Sequence, residues 1–278
     1  MPAKIAYLGP AGTNSEEAVI LYDSSAQRIP FPSVFAVAAA VEAGIAEEGI
    51  VSIENSIEGS VTNTLDMLIH ESTLHIRQEL ILPINHHLLV KQGTSAHEIK
   101  AVFSHPQALA QCRHFLEHCF PKAQLVAAMS TVAAVEEMLA CASPAAAIAP
   151  KRAAAIYGAG ILAADIQDQK SNVTRFVVLA ATDHAPTGCD KTSLCFSFND
   201  DRPGLLFGVL NELAKYNINL SKIESRPSKE RLGRYIFLVD LDGHRKDAII
   251  TEILSRIKAQ TSVCKIFGSY PRYKLKKE

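Results

Sequence analysis

The sequence predicts an α/β protein in two parts, a larger segment of alternating strands and helices and a smaller module of the ferredoxin-like type. Between residues 4 and 181, short apolar runs alternate with helical patterns, which is typical of a mostly parallel sheet covered on both faces. The following segment has the proline and glycine content of a linker. After it, the predicted elements follow the order β-α-β-β-α-β within about 80 residues. We therefore place the first domain at 1–182, the linker at 183–191 and the second domain at 192–278.

In the first domain, short apolar runs bounded by turn residues predict the strands, and apolar residues at helical spacing predict the helices. The predicted strands cover 4–8, 50–53, 81–90, 101–103, 125–128, 145–149 and 174–181. The predicted helices cover 15–22, 35–44, 61–69, 131–140 and 151–156. Two local signals add helix starts: a capping box from Ser95 to Glu98, and Pro106, which suits a first helical turn.

The second domain changes its pattern after the linker. Its predicted strands cover 193–198, 220–226, 235–241 and 263–268, and its predicted helices cover 205–216 and 248–258. This order of elements is the ferredoxin-like motif. Because small modules of this type often pair edge to edge, the pattern agrees with a role in binding a small molecule at a seam.

Composition narrows the functional classes. The chain has 278 residues, of which 48% are hydrophobic and 21% charged, and its formal net charge is −1. These values are typical of a globular protein, and the near-neutral charge does not favour nucleic-acid binding. Gly9 and Pro10 interrupt the N-terminal apolar run too early for a signal peptide, and no window approaches the roughly 20 apolar residues of a membrane helix. We expect a cytoplasmic protein that binds neither nucleic acid nor membrane.

Cysteine and histidine spacing does not favour a metal site. The six cysteines form no C-x-x-C pair, which indicates free thiols in a reducing compartment. His86 and His87 are adjacent and would face opposite sides of a strand. His114 and His118 have helical spacing but lack the H-E-x-x-H signature. We predict no metal.

The most informative segment is 49–61, in which an apolar strand ends abruptly in carboxylate, amide, hydroxyl and glycine. In open α/β sheets, ligands bind beyond the carboxyl ends of strands, where loops lead into helix N-termini that favour anions. The alternative is a helix cap formed by Ser60, which accounts for one hydroxyl but not for the polar groups before it.

Three further polar clusters also lie at ends of predicted strands: those at 9–16 and 104–109 follow a strand, and the one at 171–176 stands at the start of a strand. The first has two glycines but neither nucleotide-binding signature, and it could equally be a turn with Asn14 or Ser15 capping the next helix. The second could be a helix start beside a solvated histidine, and the third an ordinary strand start. Their convergence at strand ends favours one shared ligand site.

Six sequence blocks within these segments point to a known family. The first domain contains Y-L-G-P-x-G-T at 7–13, I-E-N-S-x-E-G-S-V at 53–61, S-H-P-Q-A-L at 104–109 and T-R-F at 174–176. The second contains R-P-G-L-L at 202–206 and I-E-S-R-P at 223–227. Together and in this order, they resemble the signature blocks of prephenate dehydratases and of their regulatory ACT domain.

The resemblance implies a two-lobed catalytic domain like the type II periplasmic binding proteins, with the active site between the lobes. Lobe one is expected at about 1–78 and 160–182, and lobe two at about 79–159. The family converts prephenate to phenylpyruvate, carbon dioxide and water in L-phenylalanine biosynthesis without a cofactor. Since the chain begins directly on the first strand, we expect a monofunctional enzyme without a fused chorismate mutase domain.

The resemblance also implies roles for individual residues. Thr174 is the essential residue, placed to donate to the ring hydroxyl that leaves. Arg175 is expected to bind a substrate carboxylate through its fork of donors. Glu54 is expected to orient Arg175 or a backbone amide, because a carboxylate beside a dianion would repel it. The remaining expected substrate contacts are Thr13, Asn55, Ser56, Gln107, Ser130, Thr131 and Phe176.

By the same resemblance, the ACT domain binds L-phenylalanine at a seam between subunits and controls the enzyme. The expected effector contacts are Gly204, Leu205, Asn217, Ile218, Asn219, Leu220, Glu224 and Ser225. A homodimer or homotetramer is therefore expected. The alternative is that Gly204 simply starts a helix and that 224–227 simply ends a strand.

Two positions depart from the family pattern: Asn14, where an aromatic residue is common, and Ser52, where proline is common. We expect Asn14 to alter the cleft wall or cap a helix, and Ser52 to change only backbone stiffness. Three alternative functions remain open. They are arogenate dehydratase, a two-lobed binding protein without catalysis, and an amino-acid-responsive regulator that uses only the ACT domain.

Overall fold

The computed structural model describes residues 2–229 and 233–273. The strands are β1 (Lys4–Leu8), β2 (Gln27–Phe31), β3 (Glu48–Asn55), β4 (Gly59–Ser60), β5 (His75–Pro83), β6 (His87–Val90), β7 (Ala101–Ser104), β8 (Gln124–Ala127), β9 (Ala145–Ala149), β10 (Gly160–Ala163), β11 (Val173–Ala180), β12 (Asp190–Ser197), β13 (Leu220–Pro227), β14 (Tyr235–Asp242) and β15 (Val263–Pro271). The helices are α1 (Asn14–Tyr22), α2 (Val34–Glu42), α3 (Thr62–Asp66), α4 (Pro106–Gln111), α5 (Arg113–Cys119), α6 (Thr131–Ala140), α7 (Lys151–Tyr157), α8 (Leu205–Lys215) and α9 (Ala248–Gln260).

Lobe one is built on a mixed sheet in the order β2-β1-β3-β11-β5, with the short β4 paired to β3. Strand β1 runs parallel to β2 and β3, whereas β11 runs antiparallel to both of its neighbours. The two faces bury separate cores, one against α1 and one beneath α2 and α3. Strand residues alternate between these cores, as in a sheet covered on both sides.

Lobe two is a second mixed sheet in the order β10-β6-β9-β7-β8. Strands β7, β8 and β9 are parallel to one another, whereas β6 is antiparallel to β9 and β10 is antiparallel to β6. Strand β9 consists of alanine and isoleucine alone and is buried along its whole length. These small side chains let α6 pack closely on the sheet.

The chain crosses between the lobes twice, at 84–86 and 164–172, later than predicted in both places. Strand β5 pairs with β11 as far as Pro83, and therefore belongs to lobe one. Strand β10 pairs with β6, and therefore belongs to lobe two. The crossings are joined to each other, since the Ile84 N–H donates to the Asn172 carbonyl at 2.9 Å. The predicted single strand over 81–90 is consequently two strands in two sheets.

The second domain has the predicted βαββαβ order in a sheet arranged β13-β14-β12-β15. Helices α8 and α9 cover one face of this sheet. The other face packs on lobe one, where Leu238, Phe267 and Tyr270 join the core beneath α2. Strand β15 lies so close to β5 that a Cβ on Gly268 would overlap the backbone of Ile76. The two domains therefore share a tightly packed interface.

Some local elements differ from the predictions. The helix predicted at 61–69 is the short α3 followed by a π-helical turn, Met67–Glu71. Strands β2 and β10 were not predicted, because both are partly exposed edge strands with little apolar alternation. Ser60 does not cap a helix but pairs with Glu54 in β4. The capping box from Ser95 to Glu98 is confirmed.

Candidate active site

A cleft of ≈ 560 Å³ separates the two lobes, and all four polar clusters of the sequence contribute to it. Strand ends supply Asn55 and Thr174, and helix starts supply Asn14, Gln107 and Ser130. Thr131 also lines the cleft, next to Ser130. The parallel strands of both sheets end here, and therefore the loops that follow them face one another.

Thr174 and Asn55 are direct partners across β11 and β3. The side-chain oxygen of Asn55 accepts from the N–H groups of Ile57 at 2.9 Å and Glu58 at 3.0 Å. These two donors fix the orientation of the amide, because only its oxygen can accept them. The amide nitrogen therefore faces Thr174 and donates to its Oγ1 at 2.9 Å. Since Oγ1 accepts this bond, the hydroxyl hydrogen of Thr174 is free to point into the cleft.

A chain of side-chain hydrogen bonds extends from Asn55 into lobe two. The Asn55 amide nitrogen also donates to the Asn172 oxygen at 2.7 Å, and the Asn172 nitrogen donates to Gln111 Oε1 at 3.0 Å. Gln111 lies on α4 and in turn donates to Glu58 of lobe one at 3.2 Å. The chain thus connects the two lobes directly behind Thr174. Neither Asn172 nor Gln111 was among the predicted site residues, although Asn172 lies within the polar cluster 171–176 and Gln111 follows the cluster 104–109.

His86 terminates this chain. Its Nε2 lies 2.9 Å from Gln111 Oε1, an acceptor, and therefore Nε2 carries the proton. Burial lowers the pKa of His86, and this effect outweighs the hydrogen bond to Gln111, which raises the pKa. His86 is thus a neutral donor at physiological pH. The sequence did not predict that His86 lies on the first crossing between the lobes. It predicted only that His86 is not a metal ligand.

Helix N-termini, rather than cationic side chains, are the groups of the cleft that suit an anion. No lysine or arginine occurs among the described residues that line it. The N-terminal residues of α1, α3, α4 and α6 line it instead, and the side chain of Ser130 caps α6 by accepting from the Ala133 N–H at 2.9 Å. The first N–H groups of each helix have no partner within the helix. Such groups suit carboxylates.

Arg175 does not reach this cleft, contrary to the expected role in binding a substrate carboxylate. Adjacent residues on a strand face opposite sides of the sheet, and therefore Arg175 points away from the side on which Thr174 lies. Its guanidinium pairs with Asp240 of the second domain at 2.6 Å and with Glu79 at 2.8 Å. Glu54 lies beside it, with 3.5 Å between Nη1 and Oε2. This agrees with the expectation that Glu54 contacts Arg175.

Three other expected substrate contacts are not among the residues that line the cleft. Thr13 caps α1, and its hydroxyl donates to the Pro10 carbonyl at 3.0 Å. Ser56 accepts from the Val173 N–H at 3.0 Å. Phe176 is only 2% exposed and packs in the core against α1. The structure gives each of them a structural partner instead of a place on the cleft surface.

Both departures from the family pattern line the cleft. Asn14 begins α1 and contributes to the wall, as one of its two expected roles required. Ser52 was expected to affect only backbone stiffness, but it also lines the cleft. Its carbonyl accepts from the Thr64 hydroxyl at 2.7 Å. The bulge in β3 opposite Arg175 and Phe176 changes the register here, and such bulges redirect side chains beside a site.

An ion pair bridges the lobes at one end of the cleft. Glu16 of α1 accepts from Arg152 of α7 at 2.7 and 2.9 Å, and from the Gly12 N–H at 2.8 Å. Burial favours a higher pKa for Glu16, but the hydrogen bonds and charges of its partners outweigh burial and lower the pKa. Glu16 is therefore ionised and connects the loop before α1 to lobe two.

Comparison with known proteins identifies the family. The profile of the prephenate dehydratase family matches residues 5–184, and the ACT domain profile matches residues 196–259. The chain belongs to the prephenate dehydratase family. It is 42% identical to the bifunctional chorismate mutase/prephenate dehydratase of Aquifex aeolicus over 97% of this chain and 74% of that protein. It is 35% identical to the prephenate dehydratase of Bacillus subtilis over 98% of this chain and 100% of that protein.

Solved structures of the family have the same fold. A crystal structure of prephenate dehydratase from Arthrobacter aurescens in complex with L-Phe superimposes with a TM-score of 0.89. The two sequences are 36% identical, and the match covers 97% of this chain and 90% of that chain. The predicted fold class, a two-lobed catalytic domain followed by an ACT domain, is therefore confirmed.

Within one prephenate dehydratase chain, the expected effector residues lie in three separate places. Gly204 caps α8 and Leu205 begins it, beside a ≈ 700 Å³ cavity that also includes Arg202. The turn formed by Asn217, Ile218, Asn219 and Leu220 follows the other end of α8. Since α8 has 11 residues, its two ends are about 16 Å apart.

Glu224 and Ser225 lie on the edge strand β13. Ser225 is exposed, whereas Glu224 accepts from the Ser60 hydroxyl at 2.5 Å and lies 3.4 Å from Lys222. Lys222 also donates to Ser60 at 2.7 Å. The ACT domain thus contacts a residue of the cleft wall directly.

Within residues 2–229 and 233–273, no three histidine, cysteine or acidic side chains are grouped to hold a metal ion. Over the same residues, no helix has the length and apolar character needed to cross a bilayer.

Proposed function

We propose that this chain converts prephenate to phenylpyruvate, carbon dioxide and water, with Thr174 as the catalytic residue. The observation that carries the proposal is the hydrogen bond from Asn55 to Thr174 Oγ1, which leaves the threonine hydrogen available to a substrate. Family membership supports the same reaction. The cleft volume of ≈ 560 Å³ is within the range of small-molecule sites.

The reaction removes a carboxylate and a hydroxyl from opposite ends of a ring. The electron pair of the bond to the ring carboxylate moves into the ring as carbon dioxide leaves, and the carbon–oxygen bond of the hydroxyl breaks. The departing hydroxide takes one proton and becomes water, and therefore a prephenate dianion plus one proton gives the phenylpyruvate monoanion. Aromatisation drives the reaction, and the poor leaving group limits its rate.

Thr174 assists the leaving oxygen as a fixed hydrogen-bond donor. A threonine hydroxyl is too weak an acid to transfer its proton fully, and so we assign it electrostatic stabilisation of the developing hydroxide. Asn55 strengthens this role, because a bond donated to Oγ1 polarises the hydroxyl in a chain of hydrogen bonds. A preorganised donor of this kind contributes about 100- to 1,000-fold in rate.

The two substrate carboxylates are assigned to the helix N-termini. Ser130 and Thr131 begin α6 on one side of the cleft, and Asn14 begins α1 on the other. Gln107, in the first turn of α4, adds an amide donor. This arrangement replaces the expected contact with Arg175, which is committed to the second domain. It holds a dianion without placing a full positive charge beside the leaving hydroxide.

The proposal is tested by incubating the protein with prephenate at neutral pH and following phenylpyruvate. We expect turnover by the wild-type protein and a loss of about 100-fold or more in Thr174→Val, which keeps the shape of the side chain and removes the hydroxyl. A parallel assay with arogenate decides between the two dehydratase activities. Absence of turnover on both substrates by the wild-type protein would contradict an enzymatic function.

We further propose that L-phenylalanine controls the enzyme by binding where the ACT domains of two subunits meet. The relative from Arthrobacter aurescens was crystallised with L-Phe, which supports this ligand. The separation of the expected effector residues within one chain also supports a shared site, because a second subunit can bring the α8 loop of one chain to β13 of the other. The proposal implies a cytoplasmic homodimer or homotetramer.

The seam model has a direct test in solution. Sedimentation equilibrium with L-phenylalanine present should give a dimer or tetramer at micromolar concentration. A monomer that still binds L-phenylalanine would contradict a site shared between subunits, while leaving the assignment of the reaction unaffected.

A further inference from the structure

Arg175 connects the strand that carries Thr174 to the ACT domain. It follows Thr174 directly on β11, and its side chain is 10% exposed. Its Nη1 donates to Asp240 Oδ2 at 2.6 Å, and its Nη2 donates to the Tyr270 hydroxyl at 2.7 Å. Asp240 and Tyr270 belong to β14 and β15, and therefore the guanidinium lies within the polar centre of the domain interface.

These hydrogen bonds close into a ring in which the donor and the acceptor of each bond can be assigned. Ser193 of β12 donates its hydrogen to Asp240 Oδ1 at 2.5 Å, and its oxygen must therefore accept from the Tyr270 hydroxyl, also at 2.5 Å. The Tyr270 oxygen accepts from Arg175. Each of the two hydroxyls in the ring is thus both a donor and an acceptor. A ring of this kind has one low-energy arrangement, and it fixes the guanidinium in place.

The catalytic domain holds the same guanidinium from the other side. Glu79 lies 2.8 Å from Arg175 Nε, and Lys191 of the ACT domain lies 2.9 Å from Glu79. Glu79 is 4% exposed, and so these charges are removed from water. Removing one partner of such a buried set leaves an uncompensated charge. Small rearrangements of the ACT sheet therefore act on Arg175 and, through the backbone of β11, on Thr174.

We propose that Arg175 is a positioning residue through which the ACT domain sets the place of Thr174 in the cleft. The inference rests on the proposed function, since it takes Thr174 as the catalytic donor. It differs from a role in substrate binding, because Arg175 faces the domain interface. Its consequence is that residues of the ACT ring control the turnover number although none of them touches the substrate.

The test measures kcat and KM for prephenate in full-length variants of the ring. In Asp240→Asn, we expect kcat to fall about 10-fold while KM stays within about twofold, because the substrate contacts are unchanged and the donor is displaced. Tyr270→Phe removes one hydroxyl and keeps the ring packing, and it should lower kcat in the same direction. It also decides the question if Asp240→Asn does not fold. In both variants, the ratio of activities with and without saturating L-phenylalanine should move towards one.

The matched control is Lys265→Met. Lys265 also bridges the domains, but its side chain donates to the carbonyls of Ile69 and Ser72, at 3.2 and 2.8 Å, in the segment after α3 and not to β11. If both ring variants keep the kcat of this control, Arg175 has only a structural role and the inference is overturned. Failure of the wild-type protein to turn over prephenate would instead remove the proposed function, and the two failures are therefore distinguishable.

Discussion

Replacing Asn55 with aspartate reverses the hydrogen bond on which the proposed catalysis depends. The substitution keeps the size of the side chain, and one oxygen can still accept from the N–H groups of Ile57 and Glu58. The other oxygen takes the place of the amide nitrogen, 2.9 Å from Thr174 Oγ1. Because a carboxylate cannot donate, Thr174 must donate to it, and its hydrogen is withdrawn from the cleft.

The expected effect follows from the loss of one preorganised donor. Removing such a donor costs about 100- to 1,000-fold in kcat, or about 2.7–4 kcal/mol of transition-state stabilisation. The competing bond from Thr174 to the carboxylate is charge-assisted and therefore stronger than a neutral one, so the substrate does not recover the hydrogen. A negative charge in the cleft should also raise KM for a dianionic substrate.

Steady-state kinetics with prephenate at neutral pH separate these two effects. Asn14→Asp is the matched control, since it adds the same charge to the cleft wall without contact to Thr174. We expect this control to raise KM more than it lowers kcat. The double variant Asn55→Asp/Thr174→Val should have a kcat no lower than that of Thr174→Val alone, because Asn55 acts on kcat through the hydroxyl that is already missing.

Two outcomes would refute this reasoning. A kcat of Asn55→Asp within about threefold of the wild type would mean that the direction of the bond to Thr174 is unimportant. Full additivity in the double variant would mean that Asn55 acts independently of Thr174, for example as a direct substrate contact.

Two further predictions concern the lobes and the domain interface. Glu16→Gln should lower the free energy of unfolding at pH 7 by about 2 kcal/mol, since it weakens a charge-assisted pair with Arg152. The pKa of Glu16 is lowered in the folded state. Its contribution to stability is therefore present above the unfolded-state pKa and is lost as the pH falls through the folded-state pKa. The free energies of unfolding of variant and wild type, measured by urea titration, should accordingly converge in acid. Gly268→Ala should lower the melting temperature more than Gly93→Ala. Both glycines have positive φ, but only Gly268 faces the backbone of Ile76. Equal shifts in melting temperature would contradict the close contact between β15 and β5.

The location of the site was largely predictable from the sequence. Three of the four polar clusters follow a strand, and the fourth, 171–176, begins the antiparallel β11 beside the carboxyl end of β3, where ligands of α/β sheets bind. This reasoning brought Asn55, Gln107 and Thr174 to one cleft, and the structure places all three there. The βαββαβ order of the second domain was equally clear from the spacing of its apolar runs.

The direction of individual side chains was less accessible. The polar cluster 171–176 was predicted to face one ligand site, although the two-residue period of a strand already places Thr174 and Arg175 on opposite faces of the sheet. What the period cannot give is the partner on the other face, since Asp240 and Tyr270 lie 65 and 95 residues away in the chain. The predicted crossings between the lobes were also too early in the chain, because no local signal in the sequence reveals that β5 pairs with β11 as far as Pro83.

Because successive side chains of β11 face opposite sides of the sheet, this one strand contacts both the cleft and the ACT domain. On one side of β11, Thr174 meets Asn55 and the cleft, and on the other side Arg175 meets Glu54, Glu79 and the ACT sheet. A hinge between the domains would allow the ACT sheet to move without consequence for catalysis. The interface instead buries a polar ring beside a close approach of β15 to β5, and therefore has little freedom to slide. A change at the ACT domain is consequently expected to be transmitted to the cleft as a displacement of β11 rather than dissipated between the domains.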